Sequence, residues 1–209
     1  MIKAIIFDIG NVLVKGSLLK KPTKNHIHGV HEYVAIKLNI ALDQYFDSID
    51  TTYAKSMEGK LPKKKVLEIM SKNLKTTPKR LEKLYIKSYK RQFKKNKELF
   101  RLVFRLRKKG YKIAILSDQW HLSKEVLASK KLMKKFDVVV ISCDVGVRKP
   151  NSKIYKIVLK KLNLPAKGCV FIDNQMWNIK PAKKLGMKTI LFKDTNQLIK
   201  ELNKLEVNI

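Results

Sequence analysis

Asp8, Ser117, Lys149 and the pair Asp173-Asn174 stand in four short segments spread widely along the chain, each marking the end of an apolar run. Those residue types suit the handling of phosphate. A carboxylate is a nucleophile toward phosphorus, and an ammonium neutralises the negative charge that develops during transfer. A hydroxyl and backbone amides hold phosphoryl oxygens, while carboxylate and amide oxygens ligate a hard divalent cation. Taken singly, each residue has an ordinary explanation: a lone aspartate after a strand is usually a turn residue. Taken together, in this order, they point to one anion-holding site.

The elements that must position them can be read from the same segments. Residues 2–7 form a β-branched and aromatic run that stops at Asp8, before Gly10-Asn11, which favours a turn; Asp8 is expected at a strand's carboxyl end. The form recurs in residues 111–116 before Ser117-Asp118, in 138–141 before Ser142 and in 169–172 before Asp173. A fifth run, 188–192, has no functional residue at its end. Helical patterns over residues 99–109, 154–162 and 178–185 lie between the runs. Strands alternating with helices predict an α/β fold, a doubly wound parallel five-stranded sheet. Uninterrupted apolar strands agree, because both their faces are covered. In such a sheet ligands bind beyond the carboxyl ends of the strands, where the winding reverses, so Asp8, Ser117 and Asp173 are expected to converge. Pro150, directly after Lys149, is expected to open the next helix.

Residues 15–95 interrupt this pattern and read as a helical insert of about four helices, with core segments 1–14 and 96–209 on either side. Apolar residues recur at helical spacing around Tyr33, from Leu42 to Tyr53, from Val66 to Leu74 and from Leu81 to Phe93, with Pro62 and Pro78 near helix starts. The aromatics among them are expected in the bundle core rather than as a substrate platform. His26, His28 and His31 cluster early in the insert, but no cysteine or acidic residue completes a metal-ligand set, and a surface loop is the expectation. His121 fits a place facing the crevice and a solvated helix start equally well.

Four motifs carry a family likeness: Phe7-Asp8-Ile9-Gly10-Asn11-Val12-Leu13, of the form FDxGxVL; Leu116-Ser117-Asp118; Arg148-Lys149-Pro150-Asn151-Ser152-Lys153-Ile154-Tyr155; and Val170-Phe171-Ile172-Asp173-Asn174, continuing through Asn178 to Met187. With these in this order, the chain resembles the haloacid dehalogenase (HAD) superfamily over residues 1–14 and about 97–193. The resemblance implies a Rossmann-like core, with the insert as a helical-bundle cap that selects substrate and excludes water. It implies a Mg²⁺-dependent phosphatase acting on a small phosphorylated substrate. Asp8 would attack phosphorus in line, forming an aspartyl-phosphate that water hydrolyses. Lys149 would supply the ammonium, and Ser117 with the amide of Asp118 would hold the phosphoryl oxygens. Asp8, the carbonyl of Gly10, Asp173 and Asn174 would offer oxygen ligands to Mg²⁺.

Two departures accompany that likeness. Most phosphatases of the superfamily carry a general acid two residues after the nucleophile, where this chain has Gly10. Either the substrate has a good leaving group, such as an anomeric or acyl phosphate, or another side chain, Asp118 or a cap histidine, donates the proton. Asn174 likewise replaces a usual acidic residue, which removes a charge from the metal site. Two alternative readings stand beside the phosphatase: a hydrolytic dehalogenase using the same Asp nucleophile, and a catalytically weakened protein that binds nucleic acid through a basic cap.

Lys and Arg number 47 against 17 acidic residues, a formal charge of +30, which favours anionic partners. Residues 60–109 hold 20 basic residues against Glu68, Glu82 and Glu98, and so carry +17 of that charge. Solvated lysine-rich helix faces explain this more readily than dedicated nucleic-acid binding, for which no recognised motif is present. Cys143 and Cys169 sit beside apolar runs and read as reduced buried thiols of a cytoplasmic protein. No apolar stretch is long enough for a membrane span, and the first run ends too early to be a signal peptide.

Overall fold

The computed structural model describes residues 1–16 and 29–209, so His31 falls inside the described residues and His26 and His28 lie outside them. Strand β1 (Ala4–Phe7) is followed by a short strand β2 (Val14–Gly16) and then by helices α1 (Val30–Leu38), α2 (Leu42–Met57), α3 (Lys63–Asn73) and α4 (Pro78–Gln92). Strand β3 (Phe93–Lys95) pairs antiparallel with β2. Helix and strand then alternate through α5 (Lys97–Lys108), β4 (Lys112–Ser117), α6 (His121–Leu127), α7 (Lys130–Met133), β5 (Val138–Ile141), α8 (Ser142–Val145) and α9 (Ser152–Leu162). Strand β6 (Cys169–Asp173), α10 (Met176–Lys184), β7 (Lys188–Leu191) and α11 (Thr195–Lys204) complete the chain.

The expected five strands form one parallel sheet in the order β5-β4-β1-β6-β7. The chain winds outward from β1 through β4 to β5, then returns to build β6 and β7 on the other side, so the winding reverses at β1. Alternate residues face opposite layers. Ile5, Phe7, Ile113, Ile115, Val170 and Ile172 pack with Leu99, Val103 and Leu106 of α5 and Leu198 and Leu202 of α11. Ala4, Ile6, Ala114, Leu116 and Phe171 pack with Ile154, Tyr155 and Val158 of α9 and with Ile179 and Ala182 of α10. At roughly 1.5–3 kcal/mol for each fully buried large apolar side chain, these two layers fix the strand ends against each other. Among the described residues no helix is long and apolar enough to cross a membrane.

The β2–β3 ribbon was not expected. Beside it Asn96 donates from its backbone to the Leu13 carbonyl at 2.9 Å and from its side chain to the Val12 carbonyl at 3.3 Å. Its side-chain oxygen accepts from the Leu99 N–H at 3.3 Å and so caps α5. One residue thereby ties the turn after Asp8 to the start of α5.

Pro150 does not open a helix as expected. The helix starts at Ser152, with Asn151 as its cap accepting from the Lys153 N–H at 2.9 Å, because an asparagine side chain satisfies a free N–H that proline cannot. Most insert aromatics are core residues: Tyr33, Tyr45, Tyr85 and Tyr89 are buried, Tyr53 and Phe93 are half-buried, and Phe46 is 42% exposed.

Contacts from the α1–α4 helices reach the segments after β4 and β5. Trp120, fully buried, lies edge-on to Tyr53 and Tyr85 and donates its indole N–H to the Tyr89 hydroxyl at 2.7 Å. Gly59, at φ +64°, sits so close to Cys143 that an added Cβ would lie 2.3 Å from its carbonyl oxygen; glycine alone allows both the conformation and the approach. Lys63 bridges Glu82 at 2.6 Å and also pairs with Glu125.

Candidate active site

Asp8 follows β1 directly, and its N–H still donates to the Ile172 carbonyl of β6 at 2.9 Å. The chain then turns sharply: the N–H groups of Val12 and Val14 both donate to the Ile9 carbonyl, and Asn11 takes a left-handed φ of 55°, which asparagine tolerates. Asp8 is thus held at the strand end with 7% of its surface exposed.

Lys149 is 4% exposed and its ammonium lies 3.0 Å from Asp8 Oδ1 and 2.6 Å from Asp173 Oδ2. Asp173 is fully buried. Its Oδ1 accepts the Gln175 N–H at 2.8 Å, and its Oδ2 also accepts from the Asn178 side-chain amide at 3.0 Å. A carboxylate has about four lone-pair positions, so the three donors leave Asp173 roughly one for anything else.

The Ser117 hydroxyl lies near enough to the Asp8 carboxylate to hold its pKa down against burial, and it accepts from the Gln119 side-chain amide at 3.0 Å. Gln119 is fixed in turn by Ser142, whose hydroxyl accepts the Gln119 N–H at 3.0 Å and donates to its carbonyl at 3.2 Å. Asp118 Oδ1 accepts the backbone N–H of Lys149 at 3.1 Å, linking the segment after β4 to the lysine segment. These bonds give Asp8, Ser117, Asp118, Lys149 and Asp173 one connected site. Gly10 belongs to it as well: a Cβ added there would stand 3.9 Å from Asp8 Oδ2. Asn174 follows Asp173 at the end of β6 and is half-buried.

Three carboxylates, Asp8, Asp118 and Asp173, surround one buried ammonium. Burial pushes the Asp8 carboxyl above the usual carboxylate range; Lys149 pulls it back and Asp173 adds to the rise. Asp118 is pushed up to about 6, chiefly by burial, against the pull of Lys149. Burial disfavours the charge on Lys149, yet Asp8, Asp173 and Asp118 outweigh it and hold the ammonium firmly protonated. A surplus of buried negative charge of this kind is suited to an added cation. Among the described residues no three His, Cys, Asp or Glu side chains form a metal cluster. A cation here would therefore draw on backbone, amide and water oxygens, as Mg²⁺ does when it keeps part of its hydration shell.

Among the described residues, His31 and His121 take no part. His121 donates from Nε2 to the Leu61 carbonyl at 2.7 Å, away from the role of facing the crevice. His31 is ringed by Tyr45, Phe46, Tyr53 and Tyr85, with Nδ1 3.0 Å from the Tyr45 hydroxyl, and burial lowers its pKa to about 4. Both cysteines are free and buried. A cavity of about 390 Å³ borders the lysine segment, lined by Glu58 and Lys60 on one side and by Arg148, Lys149, Asn151 and Lys153 on the other.

Sequence reasoning missed Gln119, Ser142 and the role of Asn178. Asn178 carried a usable signal, a polar side chain one turn into the helix after Asp173, where it can reach back to the carboxylate. Gln119 and Ser142 meet only through the pairing of β4 with β5, which no local spacing reveals.

The sequence pattern of one family, described as haloacid dehalogenase-like hydrolase, matches residues 2–186. Bifunctional epoxide hydrolase 2 of Rattus norvegicus is 36% identical over 114 residues, which cover 52% of this chain and 21% of that protein. The chain thus spans about a fifth of that relative's length. Glyceraldehyde 3-phosphate phosphatase of Pyrococcus abyssi is 34% identical over 99 residues, 44% of this chain and 40% of that protein. A HAD family enzyme of Bacteroides thetaiotaomicron, solved in complex with magnesium and inorganic phosphate, superposes with a TM-score of 0.72 over 95% of this chain and 99% of that one, at 18% identity.

Proposed function

The chain belongs to the haloacid dehalogenase-like hydrolase family, and on that premise we propose that it is a Mg²⁺-dependent phosphatase acting on a small phosphorylated metabolite through phosphorylated Asp8. The observation that carries the reading is the Asp8 carboxylate held against a buried ammonium at 3.0 Å, at a reversal of sheet winding. The name of the Pyrococcus abyssi relative supports a small phosphorylated substrate.

Asp8 attacks phosphorus in line: its carboxylate oxygen bonds to phosphorus as the bond to the substrate's ester oxygen breaks, and the departing oxygen takes a proton. Water then attacks phosphorus, releasing phosphate and regenerating the carboxylate. Lys149 neutralises charge on the transferring group, while the Ser117 hydroxyl and the Asp118 N–H hold its oxygens. Among the described residues, Asp118 is the favoured proton donor in place of an acid at Gly10: its carboxyl is pushed up to about 6, whereas His31 and His121 are engaged elsewhere. Asp8, the Gly10 carbonyl, Asn174 and the one remaining lone pair of Asp173 would hold Mg²⁺, which supplies further positive charge to the phosphoryl group. Residues 15–95 act as a cap over this site, and residues 1–14 with 96–209 as the catalytic core. Buried free thiols support a reducing, cytoplasmic setting.

The test is a screen of phosphorylated sugars, nucleotides and acyl phosphates, with Mg²⁺ or with chelator, beside an Asp8→Asn control. Phosphate release that needs both Mg²⁺ and Asp8 is expected. Metal-independent halide release from a 2-haloacid, without phosphate release from any ester, would replace the proposal with a dehalogenase.

A further inference from the structure

We propose that the face formed by α4, β3 and α5 docks the sugar-phosphate backbone of a nucleic-acid duplex without reading its sequence. The charge on this protein is segregated, which a uniformly lysine-rich composition does not explain. Residues 29–59 carry two basic residues, Lys37 and Lys55, against Glu32, Asp43, Asp47, Asp50 and Glu58, whereas residues 60–109 carry 20 against three.

Helix geometry gathers the cations onto single faces. In α4 the buried residues are Leu81, Tyr85, Ser88, Tyr89 and Gln92. At about 100° per residue, Lys79, Arg80, Lys83, Lys87, Lys90 and Arg91 fall on an arc of about 120° opposite them, and all six are exposed. In α5, Lys97, Arg101, Arg105 and Lys108 occupy the exposed side in the same way, and exposed Lys94 and Lys95 of β3 connect the two helices.

The one acidic residue on the exposed side of α5 is Glu98, and among the described residues it pairs with none of these cations. Lys63 and Arg107, in the same stretch of chain, have acidic partners. Among the described residues none of the twelve cations named on α4, β3 and α5 makes an ion pair, and residues 17–28 contain no Asp or Glu that could supply one. Lys94 is moreover directly opposite Lys15 across the β2–β3 pair, a like-charge juxtaposition that destabilises a ribbon unless an anion bridges it.

The kind of polyanion follows from what the face lacks. Among the described residues the exposed large apolar side chains are Met1, Ile36, Leu42, Phe46, Met176 and Trp177, none of them on α4, β3 or α5. Single strands are held by aromatic stacking and bilayers by apolar insertion, whereas this face presents no fully exposed aromatic or large aliphatic side chain, its Phe93 and Phe104 being half-buried. A row of point charges fits a duplex backbone. From Arg80 to Arg91 the α4 row is about 16 Å long, alongside which a duplex presents roughly ten phosphates.

Fluorescence anisotropy with a 20-base-pair duplex of arbitrary sequence, a single strand of equal length and vesicles containing phosphatidylserine tests this. Wild-type binding to duplex is expected to weaken about a thousandfold between 50 and 200 mM salt, as for about six released counterions. Lys83→Glu/Lys87→Glu/Arg91→Glu should weaken it more than tenfold at 50 mM salt and flatten the salt slope by about three phosphate contacts. The equally charged control Lys156→Glu/Lys160→Glu/Lys184→Glu, on α9 and α10, should retain most of the affinity. Circular dichroism melting would confirm that both variants are folded. Equal losses in the two variants would reduce the effect to net charge and overturn the proposal. So would absence of duplex binding at 50 mM salt, or tighter binding to the vesicles or the single strand than to the duplex.

Discussion

Lys149→Met removes the ammonium and leaves two carboxylates, Asp8 and Asp173, facing each other in a site with 7% and 0% exposure. At an effective dielectric of about 20, contacts at 3.0 and 2.6 Å are each worth on the order of 6 kcal/mol of attraction. Much of that offsets the cost of burying the lysine, and breaking such a buried pair typically leaves a net loss of about 3–5 kcal/mol. Set against a total stability of roughly 5–15 kcal/mol, the variant should fold but melt early. The pH dependence distinguishes this cause from lost packing. Burial already holds the folded pKa of Asp8 above its unfolded value, and losing the ammonium removes the main pull against that rise, so the folded state takes up a proton first. The deficit relative to wild type should therefore be complete near pH 7.5 and shrink as pH falls toward the raised value of Asp8. Asp173→Asn added to Lys149→Met should recover at least about 1 kcal/mol by removing one of the stranded charges. Urea unfolding followed by circular dichroism in chelator, at pH 7.5 and 5.5, measures all three quantities. A loss below about 1 kcal/mol, or a deficit indifferent to pH and to the second substitution, would refute this electrostatic account.

Gly10→Asp has room, its Cβ meeting Asp8 Oδ2 at an ordinary 3.9 Å, and should raise the rate on alkyl phosphates relative to aryl phosphates by about a hundredfold by supplying an acid to the poorer leaving group; an unchanged ratio counts against the site geometry. Asn174→Asp should lower the Mg²⁺ concentration needed for half-maximal phosphate release, and identical titration curves for variant and wild type would exclude Asn174 from the metal site. His31 has its folded pKa lowered to about 4 from 6.5, so the unfolded chain protonates first, and stability of up to about 3 kcal/mol is lost as pH falls from 6.5 through 4. Urea midpoints at pH 7 and 4.5 should converge in His31→Gln, and a wild-type midpoint flat across that range would contradict the burial.

The parallel sheet could be read from the chain because its five strands are uninterrupted apolar runs ending in turn residues, and periodicity registers such runs directly. Asp8, Ser117 and Asp173 could be read for the same reason, each closing a strand. The β2–β3 ribbon could not: strands of three residues hold too few alternations, and the partners lie about eighty positions apart. Short helices such as α7 and α8 complete barely one turn and leave no periodic trace. Pro150 misled because the preference for proline at a helix start competes with asparagine capping, and Asn151 prevailed. Long-range support for the site, the Ser142–Gln119 brace above all, exists only once β4 and β5 are side by side.

Trp120 stands three positions after Ser117, with its indole enclosed by tyrosines from α2 and α4. The segment just after Ser117 is therefore anchored to helices encoded some thirty to seventy positions earlier. An exchange of the α1–α4 helices for a different helical segment would leave a bare indole three residues after Ser117 unless the newcomer brought its own aromatic socket. In the history of this scaffold, residue 120 and its tyrosines would have had to change in concert, which makes the insert a poor candidate for modular replacement.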